Sequence, residues 1–262
     1  MIQIEQIRKY FPAPINETPG FDKYILKEYL QLMILDYISS SPYIQKIAFI
    51  GGTNLRLAKG LDRFSEDLDF DCKDLSKDEF IEMTNGVIRF LERSGLKVMV
   101  KDKEGQKLTA FRRNIHFPEF LFDLGLSGYK EERFLIKTES QDQGVVYYPI
   151  IENIKGCGFF FPCPMPSEGI LCSMKIAAML ARAKGRDFYD LMFLLARTRP
   201  DYDFLLKRCG IRDLKEFKQA VKELLKTIDL KKKQKDFEHL LFNRANSDKI
   251  LRFGDFINSM ED

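Results

Sequence analysis

The strongest constraint on the fold is a glycine pair that follows a short apolar run and precedes an acidic segment. The run Lys46-Ile-Ala-Phe-Ile50 predicts a buried strand over 46–50, and Gly51-Gly52 then leads into a short helix over 54–59. The acidic segment, Asp-Leu-Asp-Phe-Asp-Cys over 67–72, predicts a second strand. Because glycine has no Cβ, a turn of this kind lets backbone N–H groups come close to a bound phosphate.

Two acids of the second strand share one face. Side chains alternate along a strand, so Asp67 and Asp69 point the same way, while Leu68 and Phe70 point into the core. Adjacent carboxylates repel each other unless a divalent cation neutralises them, and oxygen ligands suit Mg²⁺ or Mn²⁺. Alone, Asp-x-Asp is more typical of two acids that face solvent. With the glycine pair upstream, it favours metal-dependent nucleotidyl transfer from a nucleoside triphosphate.

Four segments in a fixed order carry a more specific pattern. They are Gly51-Gly-Thr-Asn-Leu-Arg56, Arg63-Phe-Ser-Glu-Asp-Leu-Asp-Phe70, Phe134-Leu-Ile-Lys-Thr-Glu139, and Lys175-Ile-Ala-Ala178 with its continuation Arg182-x-Lys184-x-Arg186-Asp187-x-Tyr189-Asp190-Leu191. The pattern resembles the AbiEii/AbiGii-type nucleotidyltransferase toxins of the DNA polymerase β-like nucleotidyltransferase superfamily. Together the four segments span roughly residues 45 to 195. Gly-Gly-Thr alone is a weak signal, whereas the ordered set is a strong one.

The resemblance implies a third catalytic carboxylate and a phosphate-binding lysine. Glu139 takes the position of the family's third acid, as metal ligand or base near the attacking hydroxyl, with Asp123 as the competing candidate. Lys175 takes the position of the lysine that contacts phosphate. From spacing alone, Lys175 is better explained as a lysine whose ammonium extends from an apolar helix to solvent.

The Arg-Asp-x-x-Asp segment also acquires a role from the resemblance. Either Asp187 or Asp190 becomes a site residue, and Arg182 lies on nearly the same helical face as Lys175. The structural alternatives are that Asp187 caps the next helix and that Asp190 pairs with Arg186. Tyr189 either stacks on a base or belongs to the core.

The glycine turn and its flanks supply the predicted nucleotide contacts. Gly51–Thr53 would hold the β- and γ-phosphates through backbone N–H groups and the Thr53 hydroxyl. Arg56 lies one turn further on and would reach phosphate or, alternatively, pair with Asp62 or Glu66. The hydroxyl of Ser65 would bond a phosphate or cap the turn into the strand.

The pattern of elements predicts an α+β fold, in which a mixed β-sheet is flanked by helices and followed by a helical C-terminal lobe. Three prolines at 162, 164 and 166 predict an extended linker, so we place one lobe at 1–162 and the other at 163–262. The first lobe should contain a helix over 21–39, a helix over 77–94 with Ser76 and Glu79 as a capping box, and strands over 96–101, 108–117 and 133–140. The second lobe should contain helices over 167–183, 187–197, 201–208 and 213–228.

Composition excludes several classes of protein. The chain has five cysteines without Cys-x-x-Cys spacing and two histidines, which argues against a zinc site or a His-based triad and favours free thiols in a reducing cytoplasm. No apolar run is long enough to span a bilayer, so we expect no membrane partner. Residues 171–262 hold 20 Lys and Arg against 14 Asp and Glu. That third is the better candidate for contact with a polyanion, although solvated helix faces would look the same.

The combined prediction is a Mg²⁺-dependent nucleotidyltransferase that transfers a nucleotide to a hydroxyl acceptor. The resemblance implies an RNA acceptor such as the 3′ end of transfer RNA, and a cognate antitoxin in a bacterial toxin–antitoxin or abortive-infection system. A second hypothesis is a catalytically silent module that binds nucleotide or RNA. A third is a metal-dependent nuclease or a sugar transferase that uses Asp-x-Asp.

Overall fold

The computed structural model describes residues 2–101 and 111–261. Its strands are β1 (Ile47–Ile50), β2 (Asp67–Cys72), β3 (Met99–Val100), β4 (Phe111–His116), β5 (Leu135–Ser140), β6 (Ile150–Gly156) and β7 (Phe159–Met165). Its α-helices are α1 (Ile4–Arg8), α2 (Ala13–Asn16), α3 (Asp22–Ser39), α4 (Gly51–Leu57), α5 (Lys77–Arg93), α6 (Phe120–Asp123), α7 (Glu168–Arg182), α8 (Gly185–Leu195), α9 (Tyr202–Cys209), α10 (Leu214–Thr227), α11 (Leu230–Lys235) and α12 (Phe253–Asn258). Short 3₁₀ segments cover Pro42–Lys46, Glu238–Leu240 and Arg244–Arg252.

Five strands form one mixed sheet in the order β1-β2-β5-β4-β3. The pair β2–β5 is parallel, and the other neighbours are antiparallel. A parallel pair needs a long crossover connection, and here the chain between β2 and β5 contains α5, β3, β4 and α6. The predicted α+β class with a mixed sheet and flanking helices is confirmed.

The central strands of the sheet are held by apolar side chains on the face opposite the acids. Leu68 and Phe70 of β2 and Ile136 of β5 are almost completely buried. On β1, Phe49 packs against Phe70 with ring centroids 5.8 Å apart. Burial of these side chains removes apolar surface from water and fixes which face of β2 and β5 remains open.

Helix α5 begins as the sequence predicts. The Ser76 hydroxyl accepts the N–H of Glu79, and the Glu79 carboxylate accepts the N–H of Ser76. This reciprocal capping box satisfies two backbone donors that have no partner within the helix. Gly95, with φ +83°, follows the end of the helix.

The predicted linker near the prolines is wrong. Pro162 and Pro164 lie within β7, which pairs with β6 in an antiparallel ribbon that the sequence did not predict. Alternate residues of a two-stranded ribbon direct their N–H groups away from the partner, so two prolines spaced by two do not break it. The strand predicted over 96–101 shortens to Met99–Val100, and residues 108–110 of another predicted strand lie outside the described residues.

The described chain divides into two compact units. The first comprises residues up to 60, 64–143 and 149–165, and the second comprises 61–63, 144–148 and 166 onward. The boundary predicted between residues 162 and 163 therefore falls inside β7. In the second unit Ser167 caps α7 as predicted, since its hydroxyl accepts the N–H of Ile170 at 3.5 Å. In the described ranges, no helix combines the length and the hydropathy that a membrane crossing requires.

Candidate functional site

The register of β2 and β5 brings acidic side chains together in the first unit. Asp67 is the partner of Lys137, and Asp69 is the partner of Glu139, in a parallel pair. Directly paired residues lie on the same face of a sheet, about 4.8 Å apart across the strands. All four are partly exposed, whereas the residues between them are buried. The sheet thus presents three carboxylates, those of Asp67, Asp69 and Glu139, on one open face, which we call the acidic face.

Two basic side chains contact these carboxylates, and sequence reasoning missed both of them. Lys137 Nζ lies 3.0 Å from Asp67 Oδ2 and 3.5 Å from Glu139 Oε2. Arg112, opposite Glu139 on β4, donates from Nε to Glu139 Oε1. Lys137 stands two residues before Glu139, so strand alternation alone places it on the acidic face.

The positions of Glu139 and Asp123 distinguish these two candidates for the third acid. Glu139 lies beside Asp69, whereas Asp123 lies on α6 and pairs with Lys97 at 3.3 Å. Asp71 continues the strand but is 2 % exposed and accepts the backbone N–H of Gln143 at 2.9 Å. Its carboxylate therefore anchors the loop after β5.

Gly51 lies directly against Asp69. It has φ +81°, and a Cβ at this position would lie 2.3 Å from Asp69 Oδ2. The adjacent register explains this approach, because Ile50 is the antiparallel partner of Asp69. The helix α4 begins at Gly51, earlier than predicted, and among the described residues no side chain caps its first turn. Glycine is required here both by the backbone angle and by the closeness of the carboxylate.

Thr53 supports the acidic strand from the inside. Its side chain is fully buried, and its hydroxyl donates to the backbone carbonyl of Asp67. The predicted contact from this hydroxyl to a phosphate stays a prediction. Gly52 is also buried on α4.

Arg56 and Ser65 both contact helix α3, and their predicted contacts with phosphate stay predictions. Arg56 makes a two-pronged contact with Glu28 of α3, at 2.9 and 3.0 Å. Ser65 is 9 % exposed, and its backbone carbonyl accepts from Gln31 at 3.1 Å.

In the second unit, Lys175 of α7 is buried against a carboxylate. Its Nζ lies 2.6 Å from Asp190 Oδ2 on α8. The same carboxylate receives both Nε and Nη2 of Arg63 at 2.7 Å, and sequence reasoning did not single out Arg63. The expectation from spacing that the Lys175 ammonium reaches solvent is wrong, and so is the pairing of Asp190 with Arg186. Two cations share one buried carboxylate, so this trio carries a net positive charge.

The second acid of the segment makes a separate pair. Asp187 lies inside α8, which begins at Gly185, so it does not cap the helix. Its carboxylate is fully buried and receives Nε and Nη2 of Arg182 at 2.9 and 2.7 Å. Tyr189 is a core residue: its hydroxyl donates to the Asp62 carboxylate, with distances of 2.9 and 3.0 Å to the two oxygens, and its ring packs against Phe237.

Electrostatics keep both buried acids ionised. Burial by itself would raise the pKa of Asp190, but the Arg63 guanidinium and the Lys175 ammonium more than offset this and hold that pKa below its ordinary value. The pKa of Asp187 is likewise lowered, with burial opposed by the hydrogen bonds from Arg182. Burial and the nearby Asp62 carboxylate raise the pKa of Tyr189, so its hydroxyl remains a donor.

The acidic face has the donor chemistry of a divalent-cation site. Asp67, Asp69 and Glu139 offer hard oxygen ligands from two adjacent strands, which suit Mg²⁺ or Mn²⁺. Within residues 2–101 and 111–261, however, no group of three His, Cys, Asp or Glu side chains is already arranged as a metal site. Lys137 instead contacts both Asp67 and Glu139, and Arg112 contacts Glu139.

Comparison with known families decides the assignment. The model of the family described as "Nucleotidyl transferase AbiEii toxin, Type IV TA system" matches residues 33–253. The chain belongs to the AbiEii family. It is therefore an enzyme, a nucleotidyltransferase toxin of a type IV toxin–antitoxin system, and the resemblance of the four segments is confirmed. No curated protein matches the sequence.

Solved structures agree on the fold of this AbiEii family member. MenT4, a nucleotidyltransferase toxin from Mycobacterium tuberculosis, is 16 % identical, with a TM-score of 0.58 over 100 % of this chain and 91 % of that one. A putative nucleotidyltransferase from Helicobacter pylori is 19 % identical, with a TM-score of 0.57 over 89 % and 92 % of the two chains. JHP933 from Helicobacter pylori is also 19 % identical, with a TM-score of 0.54 and 90 % coverage of both.

Proposed function

We propose that this protein transfers a nucleoside monophosphate from a nucleoside triphosphate to a hydroxyl group of RNA, in a reaction that depends on Mg²⁺ or Mn²⁺. The observation that carries the proposal is the register of β2 and β5, which sets Glu139 beside Asp69 on an open face with Asp67 next to it. Structural carboxylates seldom cluster in this way, because each raises the cost of ionising the next. A site that binds cations explains the cluster.

The acids divide the work in this proposal. Asp67, Asp69 and Glu139 would bind the divalent cation, and Glu139 would also face the attacking hydroxyl. When bound, the metal supplies charge neutralisation at the reacting phosphate and at the departing pyrophosphate. The close contact of Gly51 with Asp69 supports a triphosphate at this point, since it sets the backbone at the start of α4 beside the carboxylates.

Lys175, which was predicted to contact phosphate, belongs to the buried trio of Arg63, Lys175 and Asp190 in the second unit. Lys175 is held by Asp190, and Arg63 contributes a second positive charge to that carboxylate. The ammonium is thus fixed in position before any substrate arrives, which favours an anionic ligand such as a triphosphate. The ion pair between Arg182 and Asp187 joins the end of α7 to the start of α8.

An RNA acceptor is supported by the charge of the second unit. The four lysines of α11 are Lys231, Lys232, Lys233 and Lys235, and in the described part of the chain none of them pairs with a carboxylate. Helix α11 packs tightly on the start of α8, where a Cβ on Gly185 would lie 1.8 Å from the carbonyl oxygen of Lys233. Unneutralised lysines that are fixed by packing are suited to a phosphate backbone.

The biological setting follows from the family. We propose transfer RNA, modified at its 3′ end, as the first acceptor to test, and a cognate antitoxin that limits the toxin during abortive infection. The five cysteines are free thiols, which supports action in the reducing cytoplasm.

The test combines each labelled nucleotide with total transfer RNA. Purified protein is incubated with Mg²⁺ and each α-labelled nucleoside triphosphate in turn, beside the variants D69N, E139Q and D123N. Label should enter RNA with the parent and D123N but not with D69N or E139Q, while all four proteins stay folded. Shortened RNA would identify a nuclease. Nucleotide binding without any transfer to RNA would identify a silent module or a different acceptor, and full activity of D69N would refute the site.

A further inference from the structure

A positively charged side chain, that of Lys137, lies on the acidic face of the sheet. Lys137 projects between two of the three carboxylates, with its Nζ 3.0 Å from Asp67 Oδ2 and 3.5 Å from Glu139 Oε2. The three side chains are between 21 and 26 % exposed, so the contacts are partly shielded from water. The lysine belongs to the same strand as Glu139 and stays on this face, because strand alternation fixes its side.

The second cation at this face is bound differently. Arg112 contacts the other oxygen of Glu139 from the neighbouring strand β4. Both oxygens of Glu139 therefore contact a positive charge. An arginine holds its partner through a planar fork, whereas a lysine is a compact point charge on a flexible stem and is exchanged more easily for another cation.

We propose that Lys137 is a built-in counter-ion of the metal site, and that a divalent cation binds Asp67 and Glu139 by displacing its ammonium group. The proposal rests on the metal site of the proposed function. Its basis is that an ammonium group and a metal ion need the same carboxylate oxygens and repel each other. The lysine keeps the acids neutralised before the metal arrives, and it sets the concentration at which metal binds.

Charge arithmetic gives the size of the effect. The three carboxylates with Lys137 and Arg112 carry a net charge of −1, and without the Lys137 charge they carry −2. One unit charge at about 4 Å changes the binding of a cation even where water screens it fully. Removal of the lysine charge should therefore strengthen binding of a divalent cation about tenfold, which equals about 1.4 kcal/mol.

The experiment is a calorimetric titration of the full chain with Mn²⁺ in the absence of nucleotide. The variant K137M keeps the length of the side chain and removes its charge. The matched control is K97M, because Lys97 also bridges two carboxylates, Glu119 at 3.2 Å and Asp123 at 3.3 Å, away from the acidic face. K137M should bind Mn²⁺ about tenfold more tightly than the parent, and K97M should bind like the parent.

Two further variants keep the test decisive. K137R retains the charge but holds the carboxylates more firmly, so it should bind Mn²⁺ no more tightly than the parent. The double variant D67N/K137M should lose the gain of K137M because one of the contested ligands is gone. Circular dichroism checks that each variant is folded. Before metal is added, K137M should melt at a lower temperature than the parent, and Mn²⁺ should raise its melting temperature more.

Either of two results would overturn the role of Lys137. Equal or weaker Mn²⁺ binding by folded K137M would show that the lysine does not compete with metal. A parent and a K137M variant that both fail to bind Mn²⁺ up to millimolar concentrations would show that there is no such exchange. Neither result depends on transfer of label to RNA, so the proposed function would stand or fall separately.

Discussion

Replacement of Asp190 by asparagine should destabilise this protein more than any other single change in the second unit that preserves side-chain size. Asp190 is fully buried, and its carboxylate compensates two cations, Arg63 with a side chain 1 % exposed and Lys175 with one 10 % exposed. The amide of asparagine is neutral. The substitution therefore leaves two buried positive charges close to each other without the carboxylate that they share.

The cost follows from the burial of the partners. Removal of one member of a buried ion pair typically destabilises a protein by about 3–5 kcal/mol, because the remaining charge stays desolvated. D190N should lie at the upper end of this range, since two charges rather than one are left. A matched comparison is D187N on the same helix. Asp187 is equally buried, but the side chain of its partner Arg182 is 44 % exposed and can regain water, so we expect a cost of only about 1–2 kcal/mol.

The assay is urea unfolding of both variants and the parent at neutral pH, followed by circular dichroism. D190N should lower the free energy of unfolding at least twice as much as D187N. Equal costs would refute the reasoning, since they would mean that the exposure of the partner does not matter. A negligible cost for D190N would show that Arg63 and Lys175 find water or other partners.

The dependence on pH checks the same charges independently. The pKa of Asp190 is lowered in the folded protein, so its stabilising contribution is complete above the unfolded value of about 3.9 and is lost as pH falls through the folded pKa. The asparagine side chain that D190N introduces does not titrate. The difference in stability between parent and D190N should thus be constant near neutral pH and shrink as pH falls below about 4.

Two glycine substitutions test the close contacts of the backbone. In G51A the new Cβ would lie 2.3 Å from Asp69 Oδ2, and alanine would have to adopt φ +81°. Nucleotidyl transfer should therefore be lost, and the free energy of unfolding should fall by about 2 kcal/mol. The control is G60A, which also has a positive φ, +77°, but open space around the Cβ, so it should cost about 1 kcal/mol and keep activity. In G185A the Cβ would lie 1.8 Å from the carbonyl oxygen of Lys233, which should cost about 3 kcal/mol and lower the melting temperature by several degrees. A G51A variant as active as G60A, or a G185A variant that melts like the parent, would contradict these contacts.

The acidic strand could be predicted because its local pattern and its tertiary surroundings agree. Alternation alone set Leu68 and Phe70 against Asp67 and Asp69, and the structure buries the first pair and exposes the second. The capping box at Ser76 and Glu79 succeeded for the same reason, since both hydrogen bonds lie within four residues of each other. Short-range physics is visible in a single sequence.

The ion pairs between distant positions of the chain could not be predicted from spacing. Arg63 and Asp190 are 127 positions apart, and Arg56 and Glu28 are 28 apart, so neither contact has a signature in the helix period or the strand period. The prediction from spacing for Lys175 failed because an apolar helix around a lysine is compatible both with an ammonium in solvent and with one paired in the core. The ammonium is paired in the core because Asp190, on a different helix, lies beside it.

The hairpin β6–β7 was missed for a different reason. Its prolines predicted a linker because proline lacks the N–H that a sheet ladder uses. The cost disappears in a two-stranded ribbon, where every second N–H points away from the partner, and the buried face of β7 is filled by Phe161, Cys163 and Met165. Periodicity of two was present in the sequence, but the prolines concealed it.

Strand β2 must pair within a sheet and must also hold several acids, and these two requirements conflict. A strand with a purely structural role would not show this conflict. Aspartate is among the poorest residues for a strand, yet three of the six residues of β2 are aspartates. The fold offsets the resulting repulsion with Lys137 and Arg112, and with a glycine where any other residue would strike Asp69. A chain selected for stability alone would replace the acids and dispense with these compensations. A ligand whose charge the acids balance would explain their presence together on one face, and this is the reason for proposing the metal site at β2 and β5.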